Sequence, residues 1–139
     1  MKLVIINYGA GNIQSIKFAF ERLGVHAILS DDADEIKAAD KVIFPGVGEA
    51  SSAMAKLKAT GLDKVIPTLK QPVLGICLGM QLMCNHSTEG DTTGLGIFDV
   101  DVVKFSNKVK VPQIGWNEIE SLKTPLFKDI PEHSFMYLV

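Results

Sequence analysis

The hydrophobic residues of this 139-residue chain fall into short runs that alternate between two spacings. Leu3 to Ile6 are four consecutive apolar residues, which is typical of a strand covered on both faces of a sheet. Apolar residues then recur at the spacing of one helix face, at Ile13, Ile16, Phe20 and Leu23. Asn12 is a suitable N-cap for this helix, and Gly24 suits the position just after its end. The pattern predicts a strand followed by a helix.

The same alternation continues along the chain. It predicts further strands over residues 25–29, 42–44 and 73–76, the last of them short and buried. It predicts further helices over residues 34–39, 50–60 and 78–84, with Gly61 ending the second of these. Strands and helices in strict alternation favour an α/β fold, a doubly wound and mostly parallel sheet of the flavodoxin-like kind.

The character of the sequence changes after Gly90. Residues 97–103 alternate between apolar and polar, and residues 109–120 read as extended, so we expect antiparallel strands at the edge of the sheet. A chain of this length has room for one core, and we predict a single domain over residues 1–139. Its final residues, 135–139, are an apolar run. Because domains usually end in polar residues, we expect the domain to be incomplete at this terminus.

Charge and composition exclude several classes of protein. The net charge of −2 and the pI near 5.9 offer no general attraction to nucleic acid or to anionic membranes. No apolar run approaches the roughly 18 residues of a membrane span, and no signal-like start is evident. We therefore predict a cytoplasmic protein. Cys77 and Cys84 would lie about 10 Å apart along one predicted helix, too far for a disulfide, and Cys84 is expected to be a small core residue.

Cys77 stands in the most informative segment of the chain, between Gly75 and Gly79 at the junction of a predicted strand and a predicted helix. The spacing G-x-C-x-G is typical of a nucleophile elbow, a strained turn that requires neighbours without side chains. Such a turn exposes the thiol over a helix N-terminus, which favours the thiolate form. The alternative is a buried structural cysteine, since free cysteines are often buried. The two glycines favour the nucleophile.

Glycine-rich loops follow the predicted strands at the sheet edge where α/β enzymes place their chemistry. The loop at residues 7–12 lacks the last glycine of a dinucleotide-binding fingerprint, so a nucleotide cofactor is not indicated. The loop at residues 45–48, Pro-Gly-Val-Gly, offers backbone N–H groups that could join that of Leu78 in an oxyanion hole. The alternative for this loop is an ordinary tight turn.

A cysteine nucleophile usually needs a base, and the sequence offers only three histidines. His26 falls within a predicted strand. His86 lies on the predicted elbow helix, about 13 Å along its axis from Cys77. His133 precedes the last apolar run and is the remaining candidate. Glu49 and Glu89 lie near the glycine-rich loops without a histidine partner by spacing.

Four motifs together resemble the class I, or triad, glutamine amidotransferases. They are G-I-C-L-G-M-Q at 75–81, N-Y-G-A-G-N at 7–12, P-G-V-G at 45–48 and P-Q-I-G-W-N at 112–117. The last three narrow the resemblance to the glutaminase subunits of imidazole glycerol phosphate synthase, and the resemblance covers the whole chain. The triad histidine and glutamate of the family lie in an H-P-E segment that has no counterpart in these 139 residues. We therefore expect little glutamine turnover by this chain alone.

The resemblance implies a role for particular residues. It implies that Cys77 attacks glutamine to form a thioester and that Gly46, Val47 and Leu78 form the oxyanion hole. It further implies that Gly48, Gln81 and Glu89 bind glutamine. No metal and no other cofactor are expected.

The partner implied by the resemblance is a (β/α)₈-barrel cyclase that consumes the ammonia in histidine biosynthesis, and Asn12 and Trp116 match positions that face it. A tryptophan at this position could instead cover the core. Two other functions stay open: a non-catalytic module that binds the cyclase, and another cysteine-elbow hydrolase that uses His133.

Overall fold

The computed structural model describes all residues, 1–139, and confirms the alternation of strands and helices. The strands are β1 (Leu3–Ile6), β2 (Ala27–Ser30), β3 (Lys41–Phe44), β4 (Val73–Gly75), β5 (Cys84–Ser87), β6 (Thr92–Thr93), β7 (Phe98–Val102), β8 (Gly115–Glu118) and β9 (Phe135–Leu138). The helices are α1 (Ile13–Arg22), α2 (Ala33–Lys37), α3 (Ala50–Thr60), α4 (Leu62–Val65) and α5 (Leu78–Leu82). Short 3₁₀ turns cover Ile66–Thr68 and Pro125–Phe127. No helix combines the length and the apolar character that crossing a membrane requires.

The first four strands form one parallel sheet in the order β2-β1-β3-β4. All four residues of β1 are buried, as its continuous apolar run predicts. Alternate residues of β1 enter two separate cores, because successive side chains of a strand point to opposite faces. Leu3 and Ile5 pack on the face that carries α1, whereas Val4 and Ile6 pack with residues of α2, α3, α4 and α5. Helices on both faces of a parallel sheet confirm the α/β fold.

The caps predicted for two helices are confirmed. The side chain of Asn12 accepts a hydrogen bond from the Ser15 N–H at 3.3 Å and caps α1. Gly61 ends α3 in the left-handed conformation, with φ of 73°. In both cases a local group satisfies backbone atoms that the helix itself leaves unpaired.

The prediction for residues 73–84 was wrong in two respects. Strand β4 is not buried: it lies at an edge of the sheet, and Leu74 is 37% exposed. Helix α5 ends at Leu82, and Cys84 begins strand β5. Apolar residues fill both elements, so periodicity alone did not show where the helix gives way to the strand. Both cysteines are free, as expected, although the separation calculated along one helix does not apply.

Other boundaries within the four-stranded sheet and its helices shift by one or two residues. Strand β2 begins at Ala27 rather than residue 25, so His26 precedes it, and α2 covers Ala33–Lys37 rather than residues 34–39. The sequence pattern missed α4. The antiparallel prediction is confirmed for residues 115–118, where β8 pairs with β9, but it is wrong for residues 97–103, because β7 runs parallel to β5. Neither strand joins the edge of the four-stranded sheet: they belong to two small sheets, β6-β5-β7 and β8-β9.

Two compact units account for the chain, Met1–Lys104 and Phe105–Val139. The first contains the four-stranded sheet, its helices and the sheet β6-β5-β7. The second contains the β8-β9 hairpin, in which Trp116 pairs with Tyr137 and Glu118 with Phe135. One domain over the whole chain stays a prediction.

Candidate active site

Cys77 lies on a sharp turn between β4 and α5. Its φ of 54° and ψ of −120° put a residue other than glycine in a left-handed conformation, which costs of the order of 1–3 kcal/mol and is typical of functional sites. The residue occupies the N-cap position of α5 and is exposed, whereas Cys84 is buried. The turn therefore presents the Cys77 thiol to solvent at the start of a helix, as a nucleophile elbow does.

Two glycines make this turn possible. A Cβ atom on Gly75 would lie 2.6 Å from the Cα of Met80, and one on Gly79 would lie 2.9 Å from the carbonyl carbon of Pro45. Neither position has room for a side chain, because real Cβ atoms essentially never approach backbone so closely. The G-x-C-x-G spacing thus reflects close backbone packing around the thiol.

The Pro-Gly-Val-Gly loop packs directly on the elbow. Gly46 is buried, and a Cβ atom there would lie 2.8 Å from the carbonyl carbon of Leu78. The N–H groups of Gly46, Val47 and Leu78 donate no hydrogen bond within the chain. Val47 is exposed, and Gly48 follows it with φ of 96°. The structure therefore packs Gly46 against Leu78, the residue after Cys77, and leaves the N–H groups of all three predicted oxyanion-hole residues unpaired.

Tyr8 ties the first glycine-rich loop to the second, and sequence reasoning missed it. Its hydroxyl donates a hydrogen bond of 2.8 Å to the carbonyl of Pro45, and its ring meets that of Phe44 at 5.6 Å between centroids. Burial raises the pKa of Tyr8 to about 12, so the hydroxyl keeps its proton. A tyrosine among glycines, directly after a buried strand, was the only sequence signal for this contact.

The predicted glutamine-binding residues follow the same loops. Gln81 lies one turn beyond Cys77 in α5, and its N–H donates to the Cys77 carbonyl at 3.1 Å. Glu89, in the turn between β5 and β6, accepts a hydrogen bond of 3.0 Å from the Ala50 N–H. Ala50 begins the helix that follows the Pro-Gly-Val-Gly loop, so Glu89 lies close to that loop and keeps one carboxylate oxygen free for a ligand.

Glu49 has a structural role at the same helix terminus. Its carboxylate accepts hydrogen bonds from the Ser51 and Ser52 N–H groups at 3.0 and 2.9 Å and from the Ser51 hydroxyl. The bond from the Ser51 hydroxyl is the first cause of a lowered pKa for Glu49, followed by the two backbone bonds. Glu49 is thus the N-cap of α3.

His86 differs from its predicted setting, whereas His133 precedes the last strand as expected. His86 belongs to strand β5, not to the elbow helix, and its Nε2 lies 2.9 Å from Asp91 Oδ1. His133 Nδ1 lies 2.6 Å from Glu118 Oε1 and 3.9 Å from Glu120 Oε1. No histidine forms a hydrogen bond with Cys77. The sequence missed the carboxylates beside His133 because they lie across a hairpin. Glu118, Glu120 and His133 are the one group of potential metal ligands whose ligand atoms lie close enough together to bind a metal ion, and all three are exposed.

The two residues predicted to face a partner are both exposed. Asn12 caps α1 in the first unit of the chain. Trp116 lies in the hairpin of the second unit, 69% exposed, with its ring edge-on to Tyr137 at 5.5 Å between centroids. The alternative that Trp116 covers the core is wrong.

Comparison with known proteins settles the family. Residues 4–137 match the family model "Glutamine amidotransferase class-I". The chain belongs to the class I glutamine amidotransferases. Among curated members of this family, the chain is similar to "Imidazole glycerol phosphate synthase subunit HisH" from several bacteria. It is 54% identical to the Bacteroides fragilis (strain YCH46) protein over 142 residues, which cover 100% of this chain and 72% of the relative.

Two further amidotransferase relatives carry the same name. The Pasteurella multocida protein is 44% identical and the Haemophilus influenzae Rd protein 43% identical, over 99% and 100% of this chain and 70% and 71% of the relatives. A solved structure titled "Crystal structure of glutamine amidotransferase" matches with a TM-score of 0.64 at 18% identity. That match covers 84% of this chain and 62% of the solved one, and it confirms the fold of this amidotransferase.

Proposed function

We propose that this amidotransferase is the glutaminase subunit of imidazole glycerol phosphate synthase and that it acts in histidine biosynthesis. The observation that carries the proposal is the exposed Cys77 thiol on a strained turn, against which the loop that contains Gly46 and Val47 packs. The N–H groups of Gly46, Val47 and Leu78 are unpaired. The HisH relatives, at 43–54% identity over the whole chain, support the choice of substrate.

The proposed reaction is acyl transfer through Cys77. The thiolate attacks the carboxamide carbon of glutamine, a C–S bond forms, and the carbonyl electron pair moves onto the oxygen. The N–H groups at the elbow stabilise this oxyanion, a contribution typically worth about 10²–10³ in rate for each donor. Collapse of the intermediate expels ammonia, once its nitrogen is protonated, and leaves a γ-glutamyl thioester. Water then cleaves the thioester, releases glutamate and restores the thiol.

Glutamine recognition is assigned to residues around the thiol. Gln81 follows Cys77 by one helical turn, the spacing that puts two residues on the same helix face. The free oxygen of Glu89 suits the ammonium group of the substrate, since a bond between charged groups contributes about 1.5–3 kcal/mol. Gly48 leaves room beside the loop, because nothing lies within 4 Å of the position that its Cβ would take.

The proposed partner is a (β/α)₈-barrel cyclase that receives the ammonia. Asn12 and Trp116 are assigned to the interface. Exposed tryptophans are enriched among the residues that contribute most to protein interfaces, so the exposure of Trp116 supports this role. The assignment requires no metal and no organic cofactor.

A chloroketone analogue of glutamine tests the proposed chemistry. The Cys77 thiolate displaces its chloride to form a thioether, and hydrogen bonds to the adjacent carbonyl oxygen accelerate this step, so the reagent reports on substrate binding and on the oxyanion hole together. We expect saturable modification of Cys77, protection by L-glutamine but not by D-glutamine, and no modification of Cys77→Ser. Iodoacetamide serves as the control reagent, since its reaction requires no oxyanion hole.

Two outcomes would point to the other functions. Tight binding of the cyclase without saturable modification of Cys77 would leave a non-catalytic binding module. Glutamine hydrolysis by the 139-residue chain that His133→Ala abolishes would make His133 the base and favour the other hydrolase.

A further inference from the structure

The contact between Tyr8 and Pro45 joins two loops that the chain separates by 37 residues. Tyr8 is 3% exposed, and Pro45 is among the most deeply buried residues. Gly11, from the same loop as Tyr8, leaves no room beside Pro45, since a Cβ atom there would lie 2.8 Å from the Pro45 Cβ. The loop after β1 therefore holds the start of the Pro-Gly-Val-Gly loop by a hydrogen bond and by close packing.

The hydrogen bond fixes the orientation of one peptide unit. The bond between Pro45 and Gly46 is trans, so its N–H points away from its carbonyl. With the carbonyl bound to Tyr8, the N–H of Gly46 points away from Tyr8. Gly46 itself packs against Leu78 and Gly79 at the elbow. The Tyr8 hydroxyl thus fixes the orientation of this peptide, with the Pro45 carbonyl toward Tyr8 and the Gly46 N–H on the opposite side.

The burial of the carbonyl makes this orientation depend on the hydroxyl. A buried carbonyl without a donor costs about 1–3 kcal/mol, so without Tyr8 the peptide gains by rotating toward another donor. Rotation would turn the carbonyl oxygen toward the elbow, where it would repel a developing oxyanion. Because burial raises the pKa of Tyr8 to about 12, the hydroxyl keeps its proton, and the hydrogen bond persists, at every physiological pH.

We propose that Tyr8 is a positioning residue for the oxyanion hole: its hydroxyl holds the Pro45–Gly46 peptide so that backbone N–H groups, not a carbonyl, face the substrate of Cys77. The inference rests on the proposed glutaminase chemistry. Tyr8 acts through the loop and does not itself touch the reacting atoms.

The test compares two reagents on the complete 139-residue chain and on Tyr8→Phe, which removes only the hydroxyl. With the chloroketone analogue, we expect kinact to fall at least about tenfold while KI stays within about twofold. The complete loss of one oxyanion donor lowers the rate by about 10²–10³-fold, and we expect the misplaced peptide of Tyr8→Phe to lose part of that factor. With iodoacetamide, we expect the rate at Cys77 to change less than about twofold.

Further variants separate positioning from stability. Thr60→Val removes another hydroxyl that donates to a carbonyl, that of Leu57, about 15 Å along α3 from its start, and should alter neither rate. Tyr8→Leu removes the ring as well. We expect it to lower the melting temperature more than Tyr8→Phe does, yet to reduce kinact by a similar factor.

The results distinguish the two proposals. If the wild-type chain shows no saturable reaction with the chloroketone, the glutaminase chemistry itself is wrong. If the wild-type chain reacts saturably and Tyr8→Phe reacts with the same kinact, only the role of Tyr8 is wrong. A loss of kinact that follows melting temperature across the Tyr8 variants would make Tyr8 a structural residue.

Discussion

The backbone of Gly46 rests against the amide nitrogen of Gly79, with no room for a side chain between them. This contact holds the loop after β3 against the start of α5, which directly follows Cys77. Parallel neighbours in the sheet make it possible, because β3 pairs directly with β4 and both strands end at the same edge.

Substitution of Gly46 tests this contact. We expect Gly46→Ala to push the loop off the elbow, since its Cβ would also lie 2.9 Å from the Leu78 Cβ. The free energy of unfolding should fall by about 1–3 kcal/mol, the usual cost of overpacking, and the chloroketone reaction should slow at least about 10²-fold. Urea unfolding and inactivation kinetics measure the two effects.

Gly61→Ala is the matched control for this substitution. Gly61 has open space around it, unlike Gly46, but a positive φ of 73°, so the cost of about 1–2 kcal/mol comes from backbone strain without overpacking. Its Cys77 should react like the wild type. A Gly46→Ala protein with an unchanged chloroketone rate would make residues 45–48 an ordinary turn.

The two cysteines should differ sharply in reactivity. Cys77 is exposed, whereas Cys84 is 6% exposed and its pKa is raised, first by burial and second by the charge of Asp101. Because the thiolate is the reactive form, iodoacetamide should label Cys77 well before Cys84. Peptide mass spectrometry over a time course measures both rates. In Cys77→Ser, the remaining Cys84 should be labelled only when the protein unfolds. Equal rates would remove Cys77 as the candidate nucleophile.

Glu89→Gln should weaken glutamine binding without disturbing the helix that Glu89 contacts. The amide oxygen of the new side chain can still accept from the Ala50 N–H, while the negative charge is lost. We expect the protection of Cys77 by L-glutamine to require about 10- to 100-fold more glutamine, with a melting temperature near that of the wild type. Glu49→Gln, which alters the neighbouring cap, should leave the glutamine requirement unchanged.

Trp116→Ala should weaken cyclase binding by roughly 30-fold, or about 2 kcal/mol, if the tryptophan lies at the centre of the interface. Its stability effect should be small, because the side chain is 69% exposed. Calorimetry with the cyclase and melting curves by circular dichroism measure the pair of effects. Leu126→Ala, at a residue with 62% exposure, is the control. A lower melting temperature with unchanged affinity would contradict the interface assignment.

The stability of the chain at high pH should depend on Tyr8. Its folded pKa of about 12 lies above the ordinary value of 10, so the unfolded state loses this proton first. The contribution of the protonated Tyr8 to the free energy of unfolding is therefore complete below pH 10 and is lost as pH rises from 10 toward 12. We expect the stability difference between wild type and Tyr8→Phe to narrow over this range, measured by urea unfolding. A difference that stays constant up to pH 12 would show that Tyr8 is not buried as described.

Local sequence patterns determined the parallel α/β fold, the caps at Asn12 and Gly61, and the elbow at Cys77. Each of these follows from a short-range rule: four apolar residues in a row for β1, a capping side chain, or two glycines around a cysteine. The resemblance to the amidotransferases depended on the same short motifs, and the family match confirmed it.

Only the tertiary structure decided which of these local features meet. The end of α5 at Leu82 and the strand that begins at Cys84 depend on pairing between β5 and β7, and apolar residues suit either element. The hydroxyl of Tyr8 found its acceptor 37 residues along the chain, where no local spacing points. Periodicity reports which residues share a face within one element. Contacts between elements are decided by packing, because burial obliges each polar group to find a partner wherever the fold provides one.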